Sequence, residues 1–176
     1  MNLIGGLLSL ISYIVTLTVY MFLPSLRNTP GKCIVCLLVS MFVGHSCLLV
    51  SPFISEYDLV CMGIGATQHF AWLCAMSWML CIGFDMLCTF RKWSASLVIS
   101  SKRLRFFFVF SLLLPLAVVA TYVTLMSGIL GNVMAFTEFG YGGTSLCWIY
   151  PEKALLSFFI IPMTCILFMY FLVIIY

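Results

Sequence analysis

The sequence predicts an all-α membrane protein with five transmembrane helices, and three observations carry that prediction. Hydrophobic residues make up 64% of the chain and charged residues 7%, with a mean hydropathy of +1.22. An ordinary soluble domain charges roughly a quarter of its residues to solvate its outside, so here lipid must be the outer solvent. Five charge-poor stretches, each long enough for the ~20 residues a helix needs to cross the hydrocarbon core, fill most of the chain. The few charges fall in the gaps, and the basic ones fall in alternate gaps.

The first span covers about residues 3–23 without a charge and stops at Pro24, ahead of Arg27, Pro30, Gly31 and Lys32. A secretory signal peptide would carry a basic n-region, a shorter core and a small-residue cleavage site. Residues 1–23 have no base and end in Leu-Pro, so they form a retained span. The second span covers about 33–54, and an acidic gap with Glu56 and Asp58 follows. The third covers about 60–90, with Asp85 as its one charge. After the basic stretch Arg91 to Arg105 comes the fourth span, about 106–127. A glycine-rich stretch then leads to the fifth, about 154–176. Membrane strands would alternate apolar with polar residues, and these runs do not.

Loop charge sets the orientation. Arg27, Lys32, Arg91, Lys92, Lys102, Arg103 and Arg105, seven of the eight bases, lie in the gaps after spans one and three. The gaps after spans two and four hold Glu56, Asp58, Glu138 and Glu152, with Lys153 the single base. The first set is cytoplasmic by this rule, which puts the N-terminus outside. The net charge of +3 is then a topology signal, with no nucleic-acid partner implied. Nine cysteines is an odd number, so at least one is free. Seven lie within spans or at their cytoplasmic ends, while Cys61 and Cys147 face the oxidising side, where disulfides persist. Cys33 and Cys36 form a C-x-x-C with no second Cys or His pair near it, so no metal or cofactor is expected.

Several short motifs carry a family likeness. They are Leu26-Arg27-Asn28, Gly31-Lys32-Cys33, Leu37 to Ser40, Gln68-His69-Phe70 followed by Trp78, and Phe84-Asp85 with Thr89-Phe90-Arg91. Pro115 and Pro162 follow in the fourth and fifth spans. In this order and spacing the chain from about Tyr13 to Tyr176 resembles G-protein-coupled receptors of the secretin/adhesion class, most of all the insect Methuselah-like receptors. The resemblance implies a seven-helix bundle of which this chain supplies helices one to five. It also implies a disulfide between Cys61 and the Cys147 of Cys147-Trp148. An extracellular ligand with peptides among the possible classes, a heterotrimeric G protein and the plasma membrane are its further implications. Leu112 and Leu113 stand where the class has Trp-Gly, and Tyr170 where helix five has Asn. The chain ends within its fifth span, so helices six and seven and an extracellular domain are expected outside it. As a fragment it is expected to be silent alone and to associate with receptor copies, the alternative being a structural or dominant-negative partner of full-length receptors.

Individual residues divide between packing and function. Asp85 lies 24 residues beyond Cys61, roughly 36 Å along a helix, which places it at the inner interface. There it is expected to pair with Arg27, Lys32 or Lys92 as an intracellular polar lock. His69, on the family motif, is expected to line a ligand pocket with Trp72, Trp148 and His45, although a hydrogen bond between helices explains His45 equally well. Gly44, Gly63, Gly65 and Gly83 are expected to admit close helix approach. The basic residues named above would face a G protein or anionic lipid heads. Enzyme classes find no support, since two isolated histidines make no metal cluster and no G-x-S-x-G occurs. A transporter would need midplane charge and an internal repeat, and neither is visible. The orientation is open to test by glycosylation-acceptor sites inserted in each loop. Modification near Gly140 is expected, and modification near Lys102 would overturn the assignment.

Overall fold

The computed structural model describes residues 3–26, 28–54, 58–91, 101–126, 140–141, 146–150 and 152–175. The chain forms α1 (Leu3–Phe22), a 3-10 turn (Pro24–Leu26), α2 (Thr29–Ile54), α3 (Asp58–Arg91) and α4 (Ser101–Met126). A last helix, α5, is continuous through Glu152–Leu155, a π turn at Leu156–Ile160 and Ile161–Ile175. All five helices are long and apolar enough to cross a membrane. Between α4 and α5 lies a two-stranded antiparallel pair, β1 (Gly140–Tyr141) and β2 (Ile149–Tyr150), with Gly140 opposite Tyr150.

Lipid offers no hydrogen bonds, so a spanning helix must satisfy its polar side chains internally. Ser9, Ser12, Thr16, Thr18, Ser40, Ser46, Thr67, Ser77 and Thr121 each donate to the carbonyl four residues earlier. This pattern lets hydroxyl residues sit inside spans without breaking them. The helices run past the apolar stretches because backbone hydrogen bonding, not hydrophobicity, ends them. In α2 the start moves back to Thr29, where Asn28 Oδ1 accepts from the Gly31 amide at 2.9 Å. Gly31 is required at that cap, since a Cβ there would lie 1.9 Å from the Leu26 carbonyl oxygen.

α3 is the central helix, packed against α2, α4 and α5, while α1 packs on α2 and buries none of its residues. At 34 residues α3 is roughly 51 Å long, well beyond a ~30 Å hydrocarbon core. Two buried clusters hold the bundle. One joins Cys33, Cys74, Trp78, Cys81 and Phe107 toward the basic end. The other joins Tyr122, Tyr141, Ile149 and Ala154 at the opposite, hairpin end. Glycines admit bulky partners at several of these contacts. Added Cβ atoms at Gly65 and Gly83 would lie 2.8 Å from Tyr141 and 2.7 Å from Tyr170, and one at Gly44 would touch the Trp72 indole. Gly63 differs: a Cβ there would meet nothing within 4 Å, so close approach does not explain it.

Candidate functional site at the hairpin end

An in-helix proline, Pro162 of α5, shapes the hairpin end. A proline has no amide hydrogen, so it cannot bond the carbonyl four residues back. Pro162 therefore gives the Phe158 carbonyl no i+4 amide, and the backbone there widens into the π turn, with the Ile161 amide bonding back to Leu156. His69 of α3 meets that carbonyl. Its Nε2 lies 2.9 Å from the Phe158 oxygen, and its Nδ1 lies 3.0 Å from the Tyr141 hydroxyl. A carbonyl can only accept, so Nε2 carries the hydrogen and Nδ1 accepts from Tyr141. The imidazole is fully buried and has Tyr122, Trp148 and Phe159 around it, with ring centroids 5.9–6.5 Å away.

The hairpin is fixed from three further directions. Tyr122 of α4 donates to the Gly140 carbonyl at 2.7 Å and sits 3.1 Å from the Tyr150 carbonyl, while its oxygen accepts from the Gly140 amide. Cys61 of α3 is bonded to Cys147, with Cα atoms 5.0 Å apart and 86 residues between them in sequence. Ser51 Oγ of α2 accepts from the Cys147 amide. Four spans thus converge on one short loop segment. Burial, and secondarily the neighbouring Tyr122, push the Tyr141 phenol above its ordinary value. Its contribution to stability is therefore present below about pH 10, the unfolded value, and is lost only as the pH rises through its higher folded value.

Beside this junction lies a cavity of about 440 Å³ between α2, α3, α5 and the segment 146–148. Trp72 and Trp148 line it, with Gln68 and Phe159 among the other walls. His69 and His45 are not among its lining residues. His69 is occupied in tying the loop to α5. His45 instead faces α1, with Nδ1 3.0 Å from the Met41 carbonyl and 3.4 Å from the Tyr13 hydroxyl, and its ring centroid is 5.0 Å from that of Trp72. That interhelical contact is the plainer of the two sequence readings of His45. The other seven cysteines are free thiols, and no group of His, Cys, Asp or Glu among the described residues could hold a metal.

The basic end is built differently. Asp85 pairs with Arg103 at 3.1 Å, its side chain 5% exposed and that of Arg103 21%. The expected partners were Arg27, Lys32 and Lys92. Helix α4 extends back to Ser101, alongside α3, and brings Arg103, a residue outside that expected set, to the carboxylate. Lys32 and Arg105 are exposed. Arg27 and Lys92 lie outside the described residues, as do the side chains of Arg91 and Lys102.

Sequence reading missed Tyr122, Tyr141 and the Phe158 carbonyl. Only the last had a signal, since Pro162 marks the carbonyl four residues before it. Removing the Tyr141 hydroxyl by Tyr141→Phe should cost about 0.6–2 kcal/mol in thermal unfolding of the protein in nanodiscs. In a His69→Phe background the same change should cost close to nothing, because the acceptor is already gone. Equal losses in both backgrounds would contradict the bridge.

Comparison with known proteins fits this geometry. Residues 1–176 match the family described as 7 transmembrane receptor (Secretin family). The chain is 31% identical to G-protein coupled receptor Mth of Drosophila melanogaster over 160 residues, covering 86% of this chain and 29% of that protein. It is also 31% identical over 139 residues to Mth2 of Drosophila yakuba, covering 76% and 25%, and 28% identical to the probable receptor Mth-like 4 of Drosophila melanogaster, covering 89% and 30%. The chain thus spans less than a third of the length of these relatives. With five apolar spans and a match along its whole length, the chain belongs to the secretin family of seven-transmembrane receptors.

Proposed function

We propose that this chain forms helices one to five and the ligand-facing end of a G-protein-coupled receptor in the plasma membrane. The hairpin end faces outside and the basic end faces the cytoplasm. An extracellular ligand, with peptides among the possible classes, enters beside Trp72 and Trp148. Its binding is passed to a heterotrimeric G protein at the basic end, where Asp85 and Arg103 act as the polar lock. The observation that carries this reading is the junction at the hairpin end. A ligand in the adjacent cavity touches Trp148 and Phe159, and both rings pack on the His69 that joins the loop to α5. Any displacement of either ring is therefore felt at the π turn of α5. The alternation of basic gaps supports the orientation, and so does the Cys61–Cys147 bond at the hairpin end, since disulfides persist in oxidising compartments.

A graft tests the reading. Residues 1–176 replace the matching segment of the Drosophila melanogaster Mth receptor, and nucleotide exchange on G protein is measured in membranes bearing the chimera. Exchange above that of membranes without receptor is expected, with a further change on Asp85→Asn. A chimera that reaches the surface with its disulfide formed, yet drives no exchange in either form, would contradict the proposal.

A further inference from the structure

The wall chemistry of the hairpin-end cavity specifies its occupant more narrowly than its size does. A cavity of about 150 Å³ takes one benzene, so about 440 Å³ accommodates two or three ring-sized groups. Among the described residues no Asp, Glu, Lys or Arg lines it, so a charged group would lose its hydration there with no counter-ion from those walls to offset the loss. Two walls are polar in a way that matters. Ser51 is committed, its Oγ accepting from the Cys147 amide. Gln68 is not: the residue is 4% exposed, and its Oε1 has no hydrogen-bond partner among the described residues. A buried acceptor without a donor is rare. An ordered water would need two or more polar partners, and this apolar wall offers few. His69 cannot take the recognition role, since both its ring nitrogens are engaged.

We propose that Gln68 is the specificity-determining residue of this pocket. The occupant is an uncharged, apolar group of one or two aromatic rings, carrying a single hydrogen-bond donor that pairs with Gln68 Oε1. The terminal amide torsion of glutamine is broad, so the side chain turns its oxygen to the donor without leaving a rotamer well. This proposal rests on the receptor reading for the source of the ligand, and on the cavity alone for its chemistry.

The test uses the full chain in lipid nanodiscs, labelled with 5-fluorotryptophan, and 4-phenylphenol as the probe. Its methyl ether lacks the donor, and 4-phenylbenzoate carries a charge. Saturable 19F shifts are expected at Trp72 and Trp148 but not at Trp78, which is buried in the other cluster. The phenol should bind about tenfold more tightly than the ether, the scale of one buried hydrogen bond. The benzoate should give no saturable shift. Gln68→Leu, or Gln68→Met if the first fails to form its disulfide, should bring phenol and ether to similar affinity while leaving ether binding intact. Ligand-free thermal stability should be no lower than that of the unaltered chain, because an unsatisfied acceptor has been removed. Equal affinity of phenol and ether for the unaltered chain would overturn the proposal without recourse to any variant. So would a preference that survives either substitution, or equal shifts at Trp78. A Gln68-dependent preference in a chain whose graft drives no exchange upholds the pocket and removes the receptor role, whereas exchange without the preference does the reverse.

Discussion

The hairpin end depends on one imidazole having both nitrogens engaged at once. His69 sits on the central helix and is fully buried, where an unmet polar group is costly. Its two partners come from elements 72 and 89 residues away in sequence, so satisfying it fixes the loop and α5 relative to α3 together. The fixed element on α5 is a backbone carbonyl whose usual amide partner is replaced by Pro162. A helix defect and a buried histidine thus meet at one carbonyl. Tyr122, Ser51 and the Cys61–Cys147 bond then hold the same loop from α4, α2 and α3.

The two ends of the bundle use opposite chemistry. At the hairpin end the contacts are neutral hydrogen bonds and aromatic edges beside an apolar cavity. At the basic end Asp85 and Arg103 form an ion pair between α3 and α4, the helices flanking the basic stretch. Burying a charge pair costs desolvation that only good geometry offsets, so such pairs are weak evidence for stability and better evidence for a specified arrangement. Helix α3 links the two ends, and it alone among the five is buried along half its apolar window.

Five spans were legible in the sequence because membrane thickness imposes a length that apolarity alone reveals. Their ends were less so. Apolarity marks the hydrocarbon limit, whereas α2 and α4 begin at Thr29 and Ser101, where caps and exposed bases continue the helix into the interface. The Cys61–Cys147 bond was legible through family likeness and position. Asp85 was recognised, but Arg103 was not among the partners expected for it, because the reach of α4 back to that residue leaves no mark in apolar patterning. Gly63 shows the same limit from the other side, since a small residue in a span signals close approach only when a neighbour is there to approach. Tyr122 and Tyr141 were invisible because their roles depend on a loop closing over distant helices. His69 and His45 look alike in sequence as lone histidines in spans, and only tertiary placement separates a loop anchor from a contact with α1.

The assignment of the His69 hydrogen is the point on which the whole arrangement turns, and the chain has only one other histidine to confuse it. Labelling with 15N-histidine in a His45→Gln background leaves a single imidazole to observe by NMR in nanodiscs at neutral pH. The account predicts one tautomer, with hydrogen on Nε2 for the Phe158 carbonyl and Nδ1 bare to accept from Tyr141. Hydrogen on Nδ1, or two tautomers in exchange, would contradict it.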